Sequence, residues 1–476
     1  MTSKPKRMRI ERDSMGEMEV PSHALYGAST QRAVLNFPVS GRRLPPEIIY
    51  AFALLKRAAA VANTKLKLLD QKRSKFIVDA CNDVMEALSN PERIDGMMEH
   101  FPIDVFQTGS GTSTNMNMNE VISRLANKAA NSKYAVHPND HVNMGQSSND
   151  TFPTAMQIAA CMELRESLIP SLKGLRKSLK TKTKKWDKIV TIGRTHLMDA
   201  TPIRMGQIFS GYESAIAYGI RRAERAMIRL AENMPIGGTA VGTGINTHPR
   251  FASIVCRELT KEVRVSFKEA DNHFEAQATR DCVVEAHGEL KTIAISISKI
   301  ANDIRWLGSG PRCGLFELTL PATQPGSSIM PGKVNPVICE SAMQVFCQVV
   351  GNDVAITTAA SGGIGSILEL NLCMPVIAER LTESIMLLSG VASILDEKMI
   401  QGLEVNKEIA EGLVEQSLMV GTILAPVIGY DQTSKLAKEA FKTGETIREI
   451  VLRKELLSDE ELNGYLDFAA MTRPHT

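Results

Sequence analysis

The chain has 476 residues, ample length to bury a core, and a formal charge of only +2, with 55 basic against 53 acidic side chains. That balance leaves no broad field for capturing nucleic acid or an anionic membrane, so any preference for anions must be local. Aromatic residues are scarce at 5%, no apolar run reaches membrane-spanning length, and the eight scattered cysteines contain no Cys-x-x-Cys pair, as suits reduced thiols.

The chain opens on a basic stretch (Lys4, Lys6, Arg7, Arg9, Arg12) that lacks the apolar segment of a secretory signal, so a cytoplasmic protein is expected. Pro21, Gly27, Pro38 and Gly41 break up the early part before a helical stretch from Pro46 to Leu68. Two polar segments follow. The first is Gln107-Thr-Gly-Ser-Gly-Thr112, running into Asn115-Met-Asn-Met-Asn-Glu120; the second is His137-Pro-Asn-Asp140 with Gln146-Ser-Ser-Asn-Asp150. Ser-Ser-Asn-Asp before a helical run is a capping pattern, and the same helix terminus can also hold an anion. His137 and His141 have metal-like spacing, but Pro138 argues against a regular helix through both, and no zinc is expected there.

Long amphipathic helices are predicted over about Thr154 to Lys185, Met205 to Asn233, Glu285 to Leu307, Ser341 to Ala360 and Pro375 to Lys398. In the third, Leu290, Ile293, Ile297, Ile300, Ile304 and Leu307 form a coiled-coil-like seam that Gly308-Ser-Gly-Pro311 ends. Periodicity leaves open whether that seam is core within one chain or packing between subunits. After Gly402 the pattern is of short helices joined at Gly429 and Gly444. The chain therefore reads as mainly α around a central bundle, with soft boundaries that give an N-terminal domain 1–145, a bundle domain 146–405 and a small C-terminal domain 406–476.

Two loops between these helices carry chemistry. Gly193-Arg-Thr-His-Leu-Met-Asp-Ala-Thr-Pro202 holds His196, which is either a structural histidine or an acid/base group able to titrate near neutrality. Gln324-Pro-Gly-Ser-Ser-Ile-Met-Pro-Gly-Lys-Val-Asn-Pro336 combines two hydroxyls, a cation, an amide and several turn-formers, a composition suited to holding an anion. It is not a nucleotide phosphate loop, because the glycine spacing differs and Val334 replaces the metal-ligating hydroxyl after Lys333. A Ser327–Lys333 nucleophile and base, or a plain interhelical connection, are the other readings of this loop.

These four segments, in this order, resemble the signature regions of the fumarase/aspartase superfamily, and the similarity runs from about Arg9 to the C-terminus. The chain looks like a class II, metal-independent fumarate hydratase. The resemblance implies a three-part, mainly α fold whose bundles associate into a homotetramer, and reversible anti addition of water to fumarate, giving (S)-malate without a cofactor or metal. It implies that His196 exchanges a proton at the oxygen end, with Glu340 as its charged partner, and that Ser327 is the base at carbon. Ser110, Gly111, Thr112, Asn115, Ser147, Ser148, Asn149, Thr195, Ser328, Lys333, Val334 and Asn335 then correspond to substrate-binding positions. His137, Pro138, Asn139 and Asp140 correspond to a second dicarboxylate site. A small dicarboxylate is the expected ligand, with neither nucleic acid nor membrane as partner.

Aspartate ammonia-lyases share the signature, so finer features must discriminate. His196, Thr108-Gly-Ser110, Asn246-Thr-His-Pro249 and Pro331-Gly-Lys333 resemble fumarases, whereas Pro336-Val-Ile-Cys339, Val405-Asn-Lys-Glu-Ile-Ala-Glu-Gly412 and the segment 361–370 depart from the fumarase pattern. A non-catalytic structural protein on the same scaffold is the third reading, and retention of Ser327, His196, Lys333 and Glu340 argues against it.

Overall fold

The computed structural model describes residues 7–130 and 132–474, so Lys4 and Lys6 of the basic stretch lie outside the described residues. All five long helices are present, at Ser148–Glu163 continuing through Leu164–Leu168 and Ile169–Lys185, Met205–Ala231, Asp281–Leu307, Val337–Ala360 and Met374–Leu395. The first is not uniform: Leu164–Leu168 is a π-helical turn, where one extra residue is accommodated without breaking the rod. The earlier stretch expected from Pro46 is the helix Pro46–Lys65, begun by a proline whose missing N–H costs nothing at a first turn.

The chain divides into two compact units. One holds the chain up to Ile169, Arg221–Thr292 and Cys347–Ser389; the other holds Pro170–Ile220, Ile293–Phe346 and the chain from Gly390. The boundaries fall inside long helices.

In the first unit, Pro46–Lys65 packs against the helices Gln71–Leu88, Ser148–Glu163 and Phe251–Val263. Ala51, Ala53, Ala58, Ala59, Ala60 and Ala62 are all buried, and such small side chains allow close approach on several faces at once. Phe52 meets Phe152 edge to face with ring centroids 5.5 Å apart. Buried polar groups fasten the loops: Glu120 accepts from the N–H groups of Gly27, Ser29 and Thr30 at the start of the helix Ala28–Asn36. A buried triad also ties three long helices together, with His287 Nδ1 2.9 Å from Asp353 and Nε2 2.8 Å from Ser384 Oγ.

In the second unit, an antiparallel hairpin pairs Val190–Thr195 with Met198–Arg204, and Leu318–Thr319 pairs with Glu404–Val405. The short C-terminal helices enclose a separate core of Val190, Val414, Leu424, Leu436, Ile447, Ile450 and Leu462. The junctions Gly429 and Gly444 lie at helix ends, as their sequence positions imply.

The seam is core within the chain from Leu290 to Ile304: Leu290, Ile293, Ile297, Ile300 and Ile304 are at most 2% exposed, whereas Leu307 is half-buried at the edge of an open groove. Another face of the same helix carries Ile295 at 50% and Trp306 at 47% exposure. These two residues and Leu197 line an open groove of about 850 Å³ in the second unit, between the hairpin and the helices Met205–Ala231 and Asp281–Leu307.

Candidate active site

The first unit gathers most of the predicted donors where two helices begin. Thr112 opens Thr112–Ala129 and Ser148 opens Ser148–Glu163, and their hydroxyl oxygens are 2.8 Å apart. Ser110 Oγ lies 2.8 Å from Thr112 Oγ1, while Ser148 Oγ donates to Asn149 Oδ1 at 3.3 Å. That last link sets the direction of the chain: with the Ser148 proton on Asn149, Thr112 donates to Ser148 and Ser110 to Thr112. Asn149 is held by its own donation to Ala240 O at 2.8 Å, and Ser147 caps its helix through Asn149 N. Two helix N-termini and four side-chain polar groups thus share one spot, an arrangement that favours negative charge.

Tight backbone packing makes this convergence possible. A Cβ on Gly109 would fall 1.8 Å from Leu372 O, and one on Gly111 would fall 1.9 Å from the Phe152 ring. Gly111 also sits at φ +72°. Gly111→Ala is therefore expected to combine about 1–2 kcal/mol of left-handed backbone cost with about 1–3 kcal/mol of overpacking. Urea unfolding would read this as a lower midpoint at unchanged slope, and an unmoved midpoint would show that the backbone here is free to shift.

Beneath the donors lies a group that the sequence reading missed. Lys56 is fully buried and donates to Asn115 Oδ1 at 2.7 Å, Asn143 Oδ1 at 2.9 Å and Gln146 Oε1 at 3.0 Å. Burial draws its ammonium down to about 7, against the opposing pull of the Asp150 carboxylate. Asp150 is itself raised to about 6 by burial, although it accepts from the N–H groups of Ser147, Gly237 and Thr239. The sequence offers only a weak signal, a lysine closing the apolar run Phe52-Ala-Leu-Leu-Lys56 with Arg57 directly after it.

His137, Pro138, Asn139 and Asp140 lie apart from this cluster's hydrogen bonds, at a π-helical turn Pro138–Val142. No regular α-helix runs through both histidines: His137, before Pro138, is extended at φ −95° and ψ 137° and stands outside the turn. His137 Nδ1 accepts from Asn139 N at 3.3 Å and Asp140 N at 3.2 Å, and His141 Nδ1 accepts from His137 N at 2.8 Å. Those bonds require an unprotonated Nδ1 on His137, so its 3.2 Å approach to Asp140 Oδ2 is no ion pair in that state.

The remaining predicted residues belong to the second unit. His196 and Leu197 form the two-residue turn of the hairpin, with φ of 58° and 63° and Thr195 paired to Met198, the geometry of a type I′ turn. The tip is exposed, with Leu197 at 66% and Met198 at 70%. Its base is fixed by the fully buried Glu317, which accepts from Arg194 Nη1 at 2.6 Å and from the Thr191 hydroxyl. Strands around His196 were not foreseen, because Pro202 and Gly193 look like breakers; the pairing slips between Ile192 and Arg194, which accommodates the glycine.

The Ser327 loop folds back on itself. Gly326 N donates to Lys333 O at 2.8 Å, and Asn335 Nδ2 donates to Gly326 O at 2.7 Å. Ser327 Oγ accepts from Ile329 N at 3.2 Å and Met330 N at 3.0 Å. These are the local side-chain-to-backbone bonds of a serine turn, and they hold the Ser327 hydroxyl in place. Ser328, Lys333 and Val334 are exposed on the same loop, and Glu340 lies in the first turn of Val337–Ala360. Among the described residues His196 makes no hydrogen bond or ion pair with Ser327 or Glu340, so the second unit does not itself join the expected histidine–carboxylate pair.

Comparison with known proteins decides the family. A lyase family profile matches residues 16–351, and a fumarase C C-terminal profile matches 421–473. The class II fumarate hydratase of Corynebacterium efficiens is 50% identical over 469 residues, covering 97% of this chain and 96% of that protein. That of Bacillus subtilis is 44% identical, covering 98% and 99%. The crystal structure of class II fumarase from Schistosoma mansoni superposes with a TM-score of 0.92 at 39% identity, covering 99% of this chain and all of that one. The chain belongs to the class II fumarate hydratase family. Its mainly α architecture is the fumarase-type lyase fold.

Within this fumarate hydratase family, the departing segment at 361–370 has a local role. Ser366–Ile367 pairs with Leu370–Asn371 in a small hairpin whose tip residue Leu368 is 83% exposed. The buried Asn371 side chain donates to Ala359 O and so anchors this hairpin, while Gly365 packs closely against the same carbonyl.

Proposed function

We infer that this chain hydrates fumarate reversibly to (S)-malate, an acid/base lyase reaction on a small dicarboxylate. The observation that carries this reading is the hydroxyl and amide cluster at two joined helix N-termini, in a chain half identical to class II fumarate hydratases. Ser110, Gly111, Thr112, Asn115, Ser147, Ser148 and Asn149 bind one substrate carboxylate, and Thr195, Ser328, Lys333, Val334 and Asn335 complete the binding set. In the dehydration direction, Ser327 Oγ takes the proton from the carbon beside a carboxylate. Negative charge then builds on that carboxylate, where fixed N–H and O–H donors stabilise it without reorganising. The C–O bond breaks as His196 protonates the departing hydroxyl, leaving fumarate and water. Hydration is the reverse.

The two loop N–H donors stabilise the Ser327 alkoxide, so that it can form and serve as the base. Glu340 supports the protonated imidazole. Because His196 stands on an exposed tip and, among the described residues, pairs with no carboxylate, working sites are assembled between copies in a homotetramer, with the Ser110/Ser148 region, the His196 tip and the Ser327 loop supplied by different chains. The exposed apolar residues Leu197, Met198, Ile295 and Trp306 suit such association. His137, Pro138, Asn139 and Asp140 form an accessory dicarboxylate site. The division at 145 and 405 follows this plan, with a cytoplasmic location.

Metal independence is tested directly. Purified protein is expected to consume fumarate, followed by the ultraviolet absorbance of its double bond, equally well after exhaustive EDTA treatment, and to act on malate in preference to aspartate. Loss of turnover restored by a divalent ion, or preference for aspartate, would refute this reading.

A further inference from the structure

Lys56 sits where a charge is costly, and its surroundings say what it does. An ammonium has three donors and no acceptor, so only oxygens can face it. All three donors are engaged, by the carboxamide oxygens of Asn115, Asn143 and Gln146. Each amide is thereby prevented from flipping. Asn115 is constrained most: Oδ1 also lies 3.1 Å from Thr151 Oγ1, whose single proton it shares with Ser147 O at 2.7 Å, and Nδ2 gives one proton to Asn143 Oδ1 at 3.1 Å. One N–H remains. Asn115 follows Thr112 by three positions on the same helix, so its side chain neighbours the Ser110–Thr112–Ser148 hydroxyls.

Nor is the charge cancelled at contact range. Among the described residues Lys56 has no ion pair; Asp150, its acidic neighbour on the helix Ser148–Glu163, directs its oxygens to three backbone N–H groups. The other titratable neighbour is Cys81 on Gln71–Leu88, which burial holds as a thiol. We propose that Lys56 is a positioning residue for substrate, orienting the Asn115 carboxamide so that its remaining N–H meets a substrate carboxylate and placing a positive charge behind it. This rests on the reading that the donor cluster binds a carboxylate. A dianion there favours the charged ammonium, offsetting the burial that opposes it.

The test uses the whole protein and succinate, a saturated dicarboxylate that cannot react, so its inhibition constant reports binding alone. Lys56→Met is expected to raise that constant about 10- to 100-fold, the worth of one charge-assisted hydrogen bond. Asn115→Ala should do likewise. If Lys56 acts through Asn115, the double variant binds succinate no worse than the weaker single variant, whereas independent losses would multiply. Multiplying effects, or an unchanged constant in Lys56→Met, overturn the proposal. Ser148→Ala separates the underlying reading: if it and Asn115→Ala both leave succinate binding untouched, the cluster is not the carboxylate site. Should Lys56→Met fail to fold, a crystal structure of the unmutated protein with succinate decides. A carboxylate oxygen within hydrogen-bond distance of Asn115 Nδ2, with Lys56 still on Oδ1, supports the proposal; a carboxylate on Ser148 but away from Asn115 overturns it, and one away from the whole cluster overturns the parent reading.

Discussion

His196→Asn is expected to lower kcat by about 10²–10⁴, the usual worth of a general acid–base group, while leaving stability close to that of the parent. The two effects separate because His196 occupies an exposed turn position with φ of 58°, a conformation that asparagine adopts readily. Thermal unfolding should therefore be nearly unchanged in a protein that barely turns over. Retention of most of the activity would reduce His196 to a turn residue. His137→Asn is the contrast: its Nδ1 caps Asn139 N and Asp140 N, a task asparagine performs well, so most of the turnover should survive.

An equally large loss is expected from Ser327→Asn, which keeps an acceptor for Ile329 N and Met330 N but removes the hydroxyl proposed to take the carbon proton. Loss of a general base is again worth about 10²–10⁴. The more informative experiment mixes two inactive proteins. The Ser327→Asn protein and the His196→Asn protein are each expected to be nearly inactive alone. If a working site draws its serine and histidine from different chains, denaturing and refolding a mixture creates some sites in which both come from unmutated segments. Activity then reappears, scaled by the mixing ratio. Mixed oligomers verified by native mass spectrometry, yet as inactive as their parents, would place serine and histidine on one chain.

The long helices were legible because their apolar residues recur at 3 and 4 positions over several turns, and a signal repeated that often survives local exceptions. The seam from Leu290 to Ile304 is the clearest case, although only burial could assign it to the chain's own core. The hairpin around His196 was not legible. Its strands are six and seven residues long, contain glycine and proline, and are held by a carboxylate, Glu317, more than a hundred positions away in sequence. The hydroxyl chain from Ser110 to Asn149 followed from recognisable segments, but Lys56 did not: what distinguishes a buried lysine is the tertiary placement of Asn115, Asn143 and Gln146, and no local pattern encodes that.

The turn at His196 and Leu197 bears on how such a protein can be improved. Type I′ turns are best served by Asn-Gly, and non-glycine residues at positive φ cost of order 1–3 kcal/mol each where their surroundings must hold them. A search for stability that optimises each turn by its residue preferences would exchange both positions and delete the imidazole. If His196 carries the proton transfer proposed above, thermostability engineering here has to exempt its most inviting target, because the local misfit is then the cost of keeping the imidazole.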